Sequence, residues 1–368
     1  MKNACMTVQK NVNTTIGSGC SSILDALFLA GYVIDEMVTL CQWEEERVLQ
    51  RIRSLYTEYD NLFVLADKTA LPIVKGYIEK SLPNAKSKAE FAGALIFEEG
   101  KSSVYLLSQD ETETGVQYVQ KACIPYLQQR YGLRFDKIVL RSVGANPVQI
   151  DKMLAEGRRI AGNALSYHHE RKYDEDIIQL IYHSNTPKML ADDLLRMFVE
   201  GLGDSLYALD NTPLAEQLVS LLKVRGKKIS VAESFTGGGV AKRIVSVSGA
   251  SEVYFEGINA YNESSKIKRL GVSPYTLGTV GAVSEKTAYE MALGLLNTRD
   301  CDIAISTTGL AGPKSDKNML PVGYCCIAIG TQERICVYQY RFDGNREEIS
   351  EKAINHALFL AYKHLKNV

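Results

Sequence analysis

The stretch Val231-Ala-Glu-Ser-Phe-Thr-Gly-Gly-Gly-Val240 decides how the last part of this chain folds, because an apolar strand pattern changes there into a glycine turn. Leucines at helical spacing across 214–224, followed by Arg225-Gly226, predict a helix with a glycine stop just before it. Residues 228–232 then read as a short buried strand and residues 240–247 as a second helix. A strand, a glycine turn and a helix in this order can direct unpaired backbone N–H groups at an anion.

Ser234 and Thr236 add two hydroxyl groups at this turn. On the turn alone, the expected roles are plain, because either hydroxyl can cap the helix while the glycines allow close packing. Three later segments change that balance. They are 255–272 with Tyr261 and Lys266, 281–292 with Ser284 at a predicted helix start, and Ile303-Ala-Ile-Ser-Thr-Thr-Gly-Leu-Ala-Gly-Pro313.

Together these blocks resemble the C-terminal domain of the competence/damage-inducible protein A (CinA) family. The matching order is A-E-S-x-T-G-G, A-Y-x(4)-K, G-A-V-S, T-G-x-A-G-P, P-V-G and a late G-x-R, here Gly344-Asn345-Arg346. The match covers roughly the last 160 residues, about one ordinary domain. The resemblance implies hydrolysis of nicotinamide mononucleotide to nicotinic acid mononucleotide and ammonia, in pyridine-nucleotide salvage, without a metal or cofactor.

An amide hydrolase needs a nucleophile, a proton carrier for the leaving amine and donors for the oxyanion. The turn has no cysteine and the blocks have no histidine, which leaves a Ser–Lys type arrangement. The resemblance implies Ser234, Tyr261 and Lys266 as catalytic residues, with Tyr261 relaying the proton or orienting Lys266. Lysine is a poor base at neutral pH unless its pKa, ordinarily about 10.4, is lowered.

The resemblance also implies a set of substrate-binding residues: Glu233, Thr236, Gly237, Gly238, Thr308, Gly309 and Arg346. The N–H groups around Thr236, Gly237 and Gly238 are expected to form the oxyanion hole. Thr308, Gly309 and Arg346 are expected to hold the ribose-phosphate end, since a guanidinium suits a phosphate dianion. Glu233 either faces the cationic pyridinium or pairs with a structural lysine.

Each of these residues has a plainer interpretation when it is taken alone. Lys266 would be a solvated lysine, Tyr261 a core or interface residue, and Arg346 a salt-bridge residue at a helix start. Only the joint spacing favours a site. Two departures from the family pattern stand out: Lys314, Ser315 and Asp316 where further glycines are usual, and Asn345 where an aspartate is usual. They could alter substrate access and loosen the hold on Arg346, respectively.

Residues 1–125 alternate strand-like and helix-like segments, which predicts a three-layer α/β domain with a largely parallel sheet. They look similar to the N-terminal domain of longer CinA proteins, which is related in fold to molybdopterin-binding domains and in some members hydrolyses ADP-ribose with a metal. The corresponding positions here are Gln9-Lys-Asn-Val12, 65–72 and 106–112, and the second of these lacks the glycines and paired acids of that activity. We therefore expect a degenerate domain.

Residues 126–207 are expected to form a small KH-like α+β linker domain, and residues 208–368 an α/β/α amidohydrolase domain. The linker has no G-x-x-G loop and the net charge is −1, so nucleic-acid binding is not expected. His168 and His169 are expected in a polar loop. Rival functions are a catalytically weak competence- or damage-associated scaffold and residual ADP-ribose hydrolysis.

The remaining expectations come from composition. Eight cysteines without a C-x-x-C pair favour a reducing, cytoplasmic setting. The apolar run at 24–34 is short and contains Asp25, so no membrane partner is expected. Amphipathic helices permit a homodimer without demonstrating one. The predicted partner is a small nicotinamide nucleotide.

Overall fold

The computed structural model describes residues 1–9, 18–41, 44–91, 94–110, 112–313 and 320–366. Positions 10–12, 111 and 314–316 of the sequence motifs lie outside these described residues. The chain forms two compact units. One comprises 1–137, 160–166 and 180–191, and the other comprises 138–159, 167–179 and 192–368.

The N-terminal part alternates strands and helices as the sequence predicts. Its strands are β1 (Asn3–Gln9), β2 (Glu36–Cys41), β3 (Asn61–Ala66), β4 (Lys86–Phe91), β5 (Ala94–Glu99) and β6 (Ser102–Ser108). Its helices are α1 (Ser18–Leu29), α2 (Glu45–Glu58), α3 (Leu71–Ser81), α4 (Thr112–Tyr118) and α5 (Ile124–Tyr131). A π-helical turn, Val119–Cys123, joins α4 to α5.

The six strands form one sheet in the order β2-β1-β3-β6-β5-β4, and the first four are parallel. Successive side chains of a strand point to opposite faces of the sheet, so each face contributes side chains to a separate hydrophobic core. Met6 and Val64 pack with Ile52 of α2 on one face. On the other face, side chains such as Phe63 pack with Leu27 of α1. The predicted three-layer α/β arrangement is confirmed.

The middle part contains β7 (Phe135–Val143), α6 (Pro147–Ala161), β8 (Leu165–Lys172), β9 (Glu175–His183), α7 (Lys188–Leu202) and β10 (Leu206–Ala208). Its four strands form a sheet in the order β10-β7-β9-β8. The loop predicted at His168 and His169 is wrong, because both residues belong to β8. His169 also has a carboxylate partner, since its Nε2 lies 2.9 Å from Oδ1 of the buried Asp176 on β9.

The predicted domain ranges, 1–125, 126–207 and 208–368, stay a prediction. Residue 125 lies inside α5, which ends at Gly132 in a left-handed conformation, and residue 207 lies inside β10. Glycine is the usual residue at such a helix end because it has no Cβ to clash. The loops that follow Tyr131 and Ala208 are therefore better places for boundaries than the predicted positions.

The C-terminal part has the strands β11 (Ile229–Glu233), β12 (Tyr254–Asn259), β13 (Ile303–Gly309), β14 (Tyr324–Gly330) and β15 (Ile335–Arg341). Its helices are α8 (Leu214–Arg225), α9 (Gly239–Val245), α10 (Glu263–Leu270), α11 (Pro274–Thr279), α12 (Glu285–Asn297) and α13 (Arg346–Lys366). The predicted glycine stop after α8 is confirmed, because Gly226 has φ +59. No helix among the described residues combines the length and apolarity that crossing a membrane requires.

The C-terminal sheet has the order β12-β11-β13-β14-β15. Helices α8, α9 and α13 pack on one face, and α10, α11 and α12 on the other, which confirms the α/β/α prediction. Strand β11 lies between two parallel neighbours, and its last residue, Glu233, is in register with Asn259 and Thr307. The segments that follow three parallel strands therefore meet at one edge, where open α/β sheets bind ligands.

Candidate functional site

Ser234 follows β11 directly, and Lys266 reaches it from α10. The Nζ of Lys266 lies 2.8 Å from the Oγ of Ser234. The same nitrogen lies 2.7 Å from the carbonyl oxygen of Ala260 and 3.4 Å from that of Tyr261. The two residues are 32 positions apart in sequence, so their contact depends on how α10 packs against the sheet.

Lys266 is the opposite of a solvated surface lysine, because only 1% of it is exposed. Burial disfavours the charged ammonium form. It lowers the pKa of Lys266 from an ordinary 10.5 to about 8, against a smaller opposing effect of the Glu263 carboxylate. A minor but usable fraction of the amine is therefore neutral near physiological pH, as a lysine base requires.

Glu233 takes neither of its two predicted roles. Its Oε2 accepts hydrogen bonds from the N–H groups of Gly238 at 3.0 Å and Val240 at 3.1 Å. Its Oε1 accepts from the N–H of Ala241 at 2.8 Å. A carboxylate at this position is favoured by the positive end of the helix dipole. Glu233 therefore binds the start of α9 and is not available to a substrate pyridinium.

The hydrogen bonds of the turn change which of its N–H groups can serve as oxyanion donors. The N–H of Gly238 is bonded to Glu233, and the N–H of Gly237 donates to the Ser234 carbonyl at 3.1 Å. By contrast, the N–H groups of Phe235 and Thr236 make no hydrogen bond to the part of the chain that the structure describes. Thr236 remains a candidate donor from the predicted group, and Phe235 is a new one.

The three glycines of the turn have different roles. Gly237 and Gly238 have φ values of +63 and +97, a backbone conformation that residues with a side chain rarely adopt. A Cβ at either position would meet no other atom within 4 Å, so the space beside the turn is open. At Gly239 a Cβ would lie 2.3 Å from Ile354 of α13, so this glycine allows close packing. The plain packing interpretation therefore holds for Gly239 only.

Two threonines of the predicted binding set have their hydroxyl groups engaged elsewhere. The Thr236 Oγ1 lies 2.7 Å from the Oγ1 of Thr307, and both residues are buried. The Thr308 hydroxyl is fully buried and donates to the carbonyl of Ala282 at 2.6 Å. In this arrangement Thr308 does not donate to a ribose or phosphate, so its predicted contact finds no support here.

Gly309 and Ser284 have structural roles in the backbone around the site. A Cβ on Gly309 would lie 2.5 Å from the Cβ of Cys325 and 2.9 Å from the Phe235 ring, so β13 approaches its neighbours closely there. Ser284 caps α12, as the sequence predicts, by accepting the N–H of Thr287 at 3.1 Å. Both residues hold backbone segments in place and present no side chain to a ligand.

Tyr261 and Arg346 contact each other. The guanidinium of Arg346 donates to the Tyr261 hydroxyl at 3.1 Å and to the Gly312 carbonyl at 2.8 Å. Tyr261 is 62% exposed, which rules out the core interpretation. Its hydroxyl thus points to Arg346, and Lys266 meets only its backbone carbonyl. A role of Tyr261 as the direct proton relay to Lys266 is contradicted by this arrangement.

Arg346 is the first residue of α13, and Asn345 supplies the cap of that helix. The Asn345 Oδ1 accepts the N–H groups of Glu347 at 2.9 Å and Glu348 at 3.1 Å, and the Glu348 carboxylate accepts the Asn345 N–H at 2.7 Å. This reciprocal capping box holds the helix start. Asparagine therefore performs the capping for which an aspartate would also serve, and the hold on Arg346 is intact.

In the N-terminal part, Asp67 is the acidic residue that remains in the degenerate motif at 65–72, and it stabilises the loop around it. The Oδ1 of Asp67 accepts the N–H groups of Thr69 at 3.0 Å and Ala70 at 2.8 Å, just before α3. The N–H of Lys68 donates to Asp110 at 2.6 Å. These carboxylates fold the loop after β3.

Sequence reasoning missed two groups of the site, both of them in the backbone. They are the N–H of Phe235, which has no hydrogen-bond acceptor among the described residues, and the carbonyl of Ala260, which is the shorter carbonyl contact of Lys266. Backbone groups leave no residue-type signal. The residue after a nucleophile in a strand–turn–helix elbow often donates to the oxyanion, and that rule could have pointed to Phe235.

Comparison with known proteins points to one family. The family model described as the CinA C-terminal domain matches residues 211–365. A protein of Caldicellulosiruptor saccharolyticus, named as competence-damage inducible, is 34% identical over 248 residues, covering 66% of this chain and 60% of the relative. A protein of the same name from Caldicellulosiruptor bescii is 30% identical over 325 residues, covering 87% of this chain and 77% of the relative.

Among solved structures, the crystal structure of a CinA superfamily protein from Klebsiella pneumoniae is 29% identical, with a TM-score of 0.41. It covers 42% of this chain and 97% of its own. The chain spans less than two thirds of the Caldicellulosiruptor saccharolyticus relative, but more than three quarters of the Caldicellulosiruptor bescii relative. On the extent of this last match, the chain belongs to the CinA family of competence/damage-inducible proteins.

Proposed function

We propose that this protein is a nicotinamide mononucleotide amidohydrolase that uses Ser234 as nucleophile and Lys266 as base. One observation carries the proposal: a buried lysine amine with a lowered pKa lies 2.8 Å from a serine hydroxyl at the carboxyl edge of the sheet. Such a pair can attack a carboxamide without a histidine or a cysteine.

The surroundings of Lys266 favour its function as a base. A neutral amine has two N–H groups and one lone pair. The carbonyls of Ala260, at 2.7 Å, and Tyr261, at 3.4 Å, can accept the two N–H groups. The lone pair is then left for the proton of Ser234. After it takes that proton, the ammonium retains the same three partners, so little rearrangement is needed.

The reaction follows in two halves. Ser234 Oγ bonds to the carboxamide carbon as its proton moves to Lys266 Nζ, and the carbonyl oxygen becomes an oxyanion. The ammonium of Lys266 then protonates the amide nitrogen, the C–N bond breaks, and ammonia leaves an ester on Ser234. Water attacks that ester with Lys266 again taking a proton, and nicotinic acid mononucleotide leaves as Ser234 regains its hydrogen.

Other groups supply the oxyanion and phosphate contacts of the proposal. The N–H groups of Phe235 and Thr236, adjacent to the nucleophile, are the proposed oxyanion donors. The open space beside Gly237 and Gly238 leaves room for the substrate. Arg346 is the proposed phosphate ligand, because its guanidinium is exposed and lies beside Tyr261 at the same edge.

The direct test is ammonia release from nicotinamide mononucleotide by the full chain, with and without a chelator. We expect activity in both conditions, and none from the Ser234→Ala variant with an unchanged melting temperature. Nicotinic acid mononucleotide must appear in equal amount to ammonia. Absence of deamidation by the wild-type chain, or full activity of Ser234→Ala, would refute the proposal.

A further inference from the structure

We propose that Glu233 is a positioning residue for the amidohydrolase reaction: its carboxylate holds the turn that carries Ser234 in the attacking geometry. The inference rests on the proposed function and gives this motif residue a task different from substrate binding.

The position of Glu233 is well defined by its contacts. It is 1% exposed, and its two carboxylate oxygens accept three N–H groups, from Gly238, Val240 and Ala241, at 2.8 to 3.1 Å. No lysine or arginine forms an ion pair with it within the described ranges. A buried carboxylate is costly unless such donors replace its water. The three N–H groups therefore bind it firmly.

These contacts link the two ends of the backbone turn that contains the nucleophile, Ser234. The side chain of Glu233 holds the chain at 238–241, so the intervening turn, with Ser234, is tied at both ends. Ser234 itself is held by its N–H, which donates to the Thr307 carbonyl at 3.0 Å. Two positive-φ glycines in this turn give it little intrinsic preference for one shape. The carboxylate supplies the missing constraint.

Glu233 also connects the nucleophile to the base. Its backbone carbonyl accepts the N–H of Ala260 at 2.7 Å, and the carbonyl of Ala260 accepts from Lys266 at 2.7 Å. The placement of Ser234 and the placement of Lys266 therefore depend on the same residue. A productive nucleophile–base contact tolerates only small displacements, so loosening this residue should lower the rate of the chemical step.

A second consequence concerns the substrate. The N–H groups at the start of α9 could have bound a phosphate, but a negative charge of the protein already occupies them. A phosphate dianion placed there would be repelled by Glu233. The substrate phosphate is thereby left to a cation elsewhere, for which Arg346 is the candidate.

The test compares Glu233→Gln and Glu233→Ala with the wild-type chain in kcat, KM and melting temperature. Glu233→Gln keeps the volume but brings an NH2 group toward an N–H donor. We therefore expect kcat to fall about 10- to 100-fold, the loss typical when residues that orient metal ligands are replaced. KM for nicotinamide mononucleotide should change little. Glu252→Gln, an exposed carboxylate paired with Lys223, is the matched control.

A chemical rescue separates positioning from stability. In Glu233→Ala, added formate can occupy the vacated carboxylate position and bind the same N–H groups. We expect kcat to rise with formate concentration and to saturate, while Ser234→Ala shows no response. If Glu233→Ala does not fold, the kcat of Glu233→Gln decides the question.

The outcomes separate the two proposals. An inactive wild-type chain would overturn the proposed function and the positioning role together. An active wild-type chain with unchanged kcat in Glu233→Gln would overturn the positioning role alone. So would a loss of kcat that only follows the loss of folded protein. A raised KM with normal kcat would instead return Glu233 to substrate binding.

Discussion

Arg346 donates a hydrogen bond to the hydroxyl of Tyr261 at 3.1 Å across 85 positions of sequence. This contact joins the start of α13 to the segment that follows β12. It places the tyrosine hydroxyl next to Arg346, whereas Lys266 contacts Tyr261 at its backbone carbonyl. The edge of the sheet thus holds two distinct pairs, Ser234 with Lys266 and Arg346 with Tyr261.

Ser234 and Lys266 should act as a unit. We expect Ser234→Ala, Lys266→Ala and the double variant to lose similar amounts of activity, each on the order of 10⁴-fold or more. Lys266→Arg should be almost as inactive, because a guanidinium does not release its proton near neutral pH. The measurement is steady-state deamidation with thermal melts alongside. Simple multiplication of the two single defects would contradict the paired mechanism.

The pH dependence of the reaction should report Lys266. Its pKa of about 8 places the loss of its proton just above neutral pH. Because only the neutral amine can accept the serine proton, kcat/KM should fall about tenfold per pH unit below pH 8 and level off above it. A flat profile from pH 6 to pH 9 would exclude Lys266 as the base. Glu252→Gln should reproduce the wild-type profile.

The stability of the protein should depend on pH through the same group. Lys266 has a pKa of about 8 in the folded chain and 10.5 as its ordinary value, so between these pH values the unfolded chain binds more protons. Stability therefore rises with pH in this window, and the penalty for burying the ammonium is fully present below pH 8. Relative to Lys266→Met, the wild type should gain about 1 kcal/mol between pH 7 and pH 9.

Urea unfolding of both proteins at the two pH values measures this change. The difference between wild type and variant is the quantity to compare, since groups common to both proteins cancel in it. An identical difference at pH 7 and pH 9 would show that the lysine is not buried with a lowered pKa.

Tyr261→Phe and Arg346→Ala should affect substrate binding more than chemistry. Tyr261→Phe removes one exposed hydrogen bond, so kcat should stay within about threefold, whereas loss of a proton relay would cost 10²-fold or more. Arg346→Ala should raise KM for nicotinamide mononucleotide roughly tenfold to a hundredfold. Nicotinamide riboside, which lacks the phosphate, is the control substrate, and its KM should not respond to Arg346→Ala.

ADP-ribose should not be hydrolysed at a meaningful rate. Asp67 folds the loop before α3 through the N–H groups of Thr69 and Ala70, and the glycines that would approach a pyrophosphate are missing. The assay is product formation with Mg²⁺, Mn²⁺ or Co²⁺ supplied, with deamidation measured in parallel as a positive control. Turnover that is lost in Asp67→Asn would show that the domain retains this chemistry.

The order of elements was largely predictable from local patterns. Alternating apolar segments predicted both α/β sheets, and α8 ends at Arg225, just before the predicted glycine stop at Gly226. The error at His168 and His169 arose because β8 is only partly buried, so its polar residues hide the strand alternation. Hydrophobic periodicity reports burial, and it fails where a strand has little buried surface.

For the site, the sequence by itself determined the residue types, their order and the glycine turn that α9 follows. Tertiary structure alone decided which groups are adjacent and what each one binds. Lys266 is a base candidate because α10 packs it against the end of the sheet, out of contact with water. Glu233 binds backbone N–H groups, and Tyr261 meets Arg346, for the same kind of reason. Desolvation and long-range hydrogen bonds arise between segments far apart in the chain, so no local pattern can encode them.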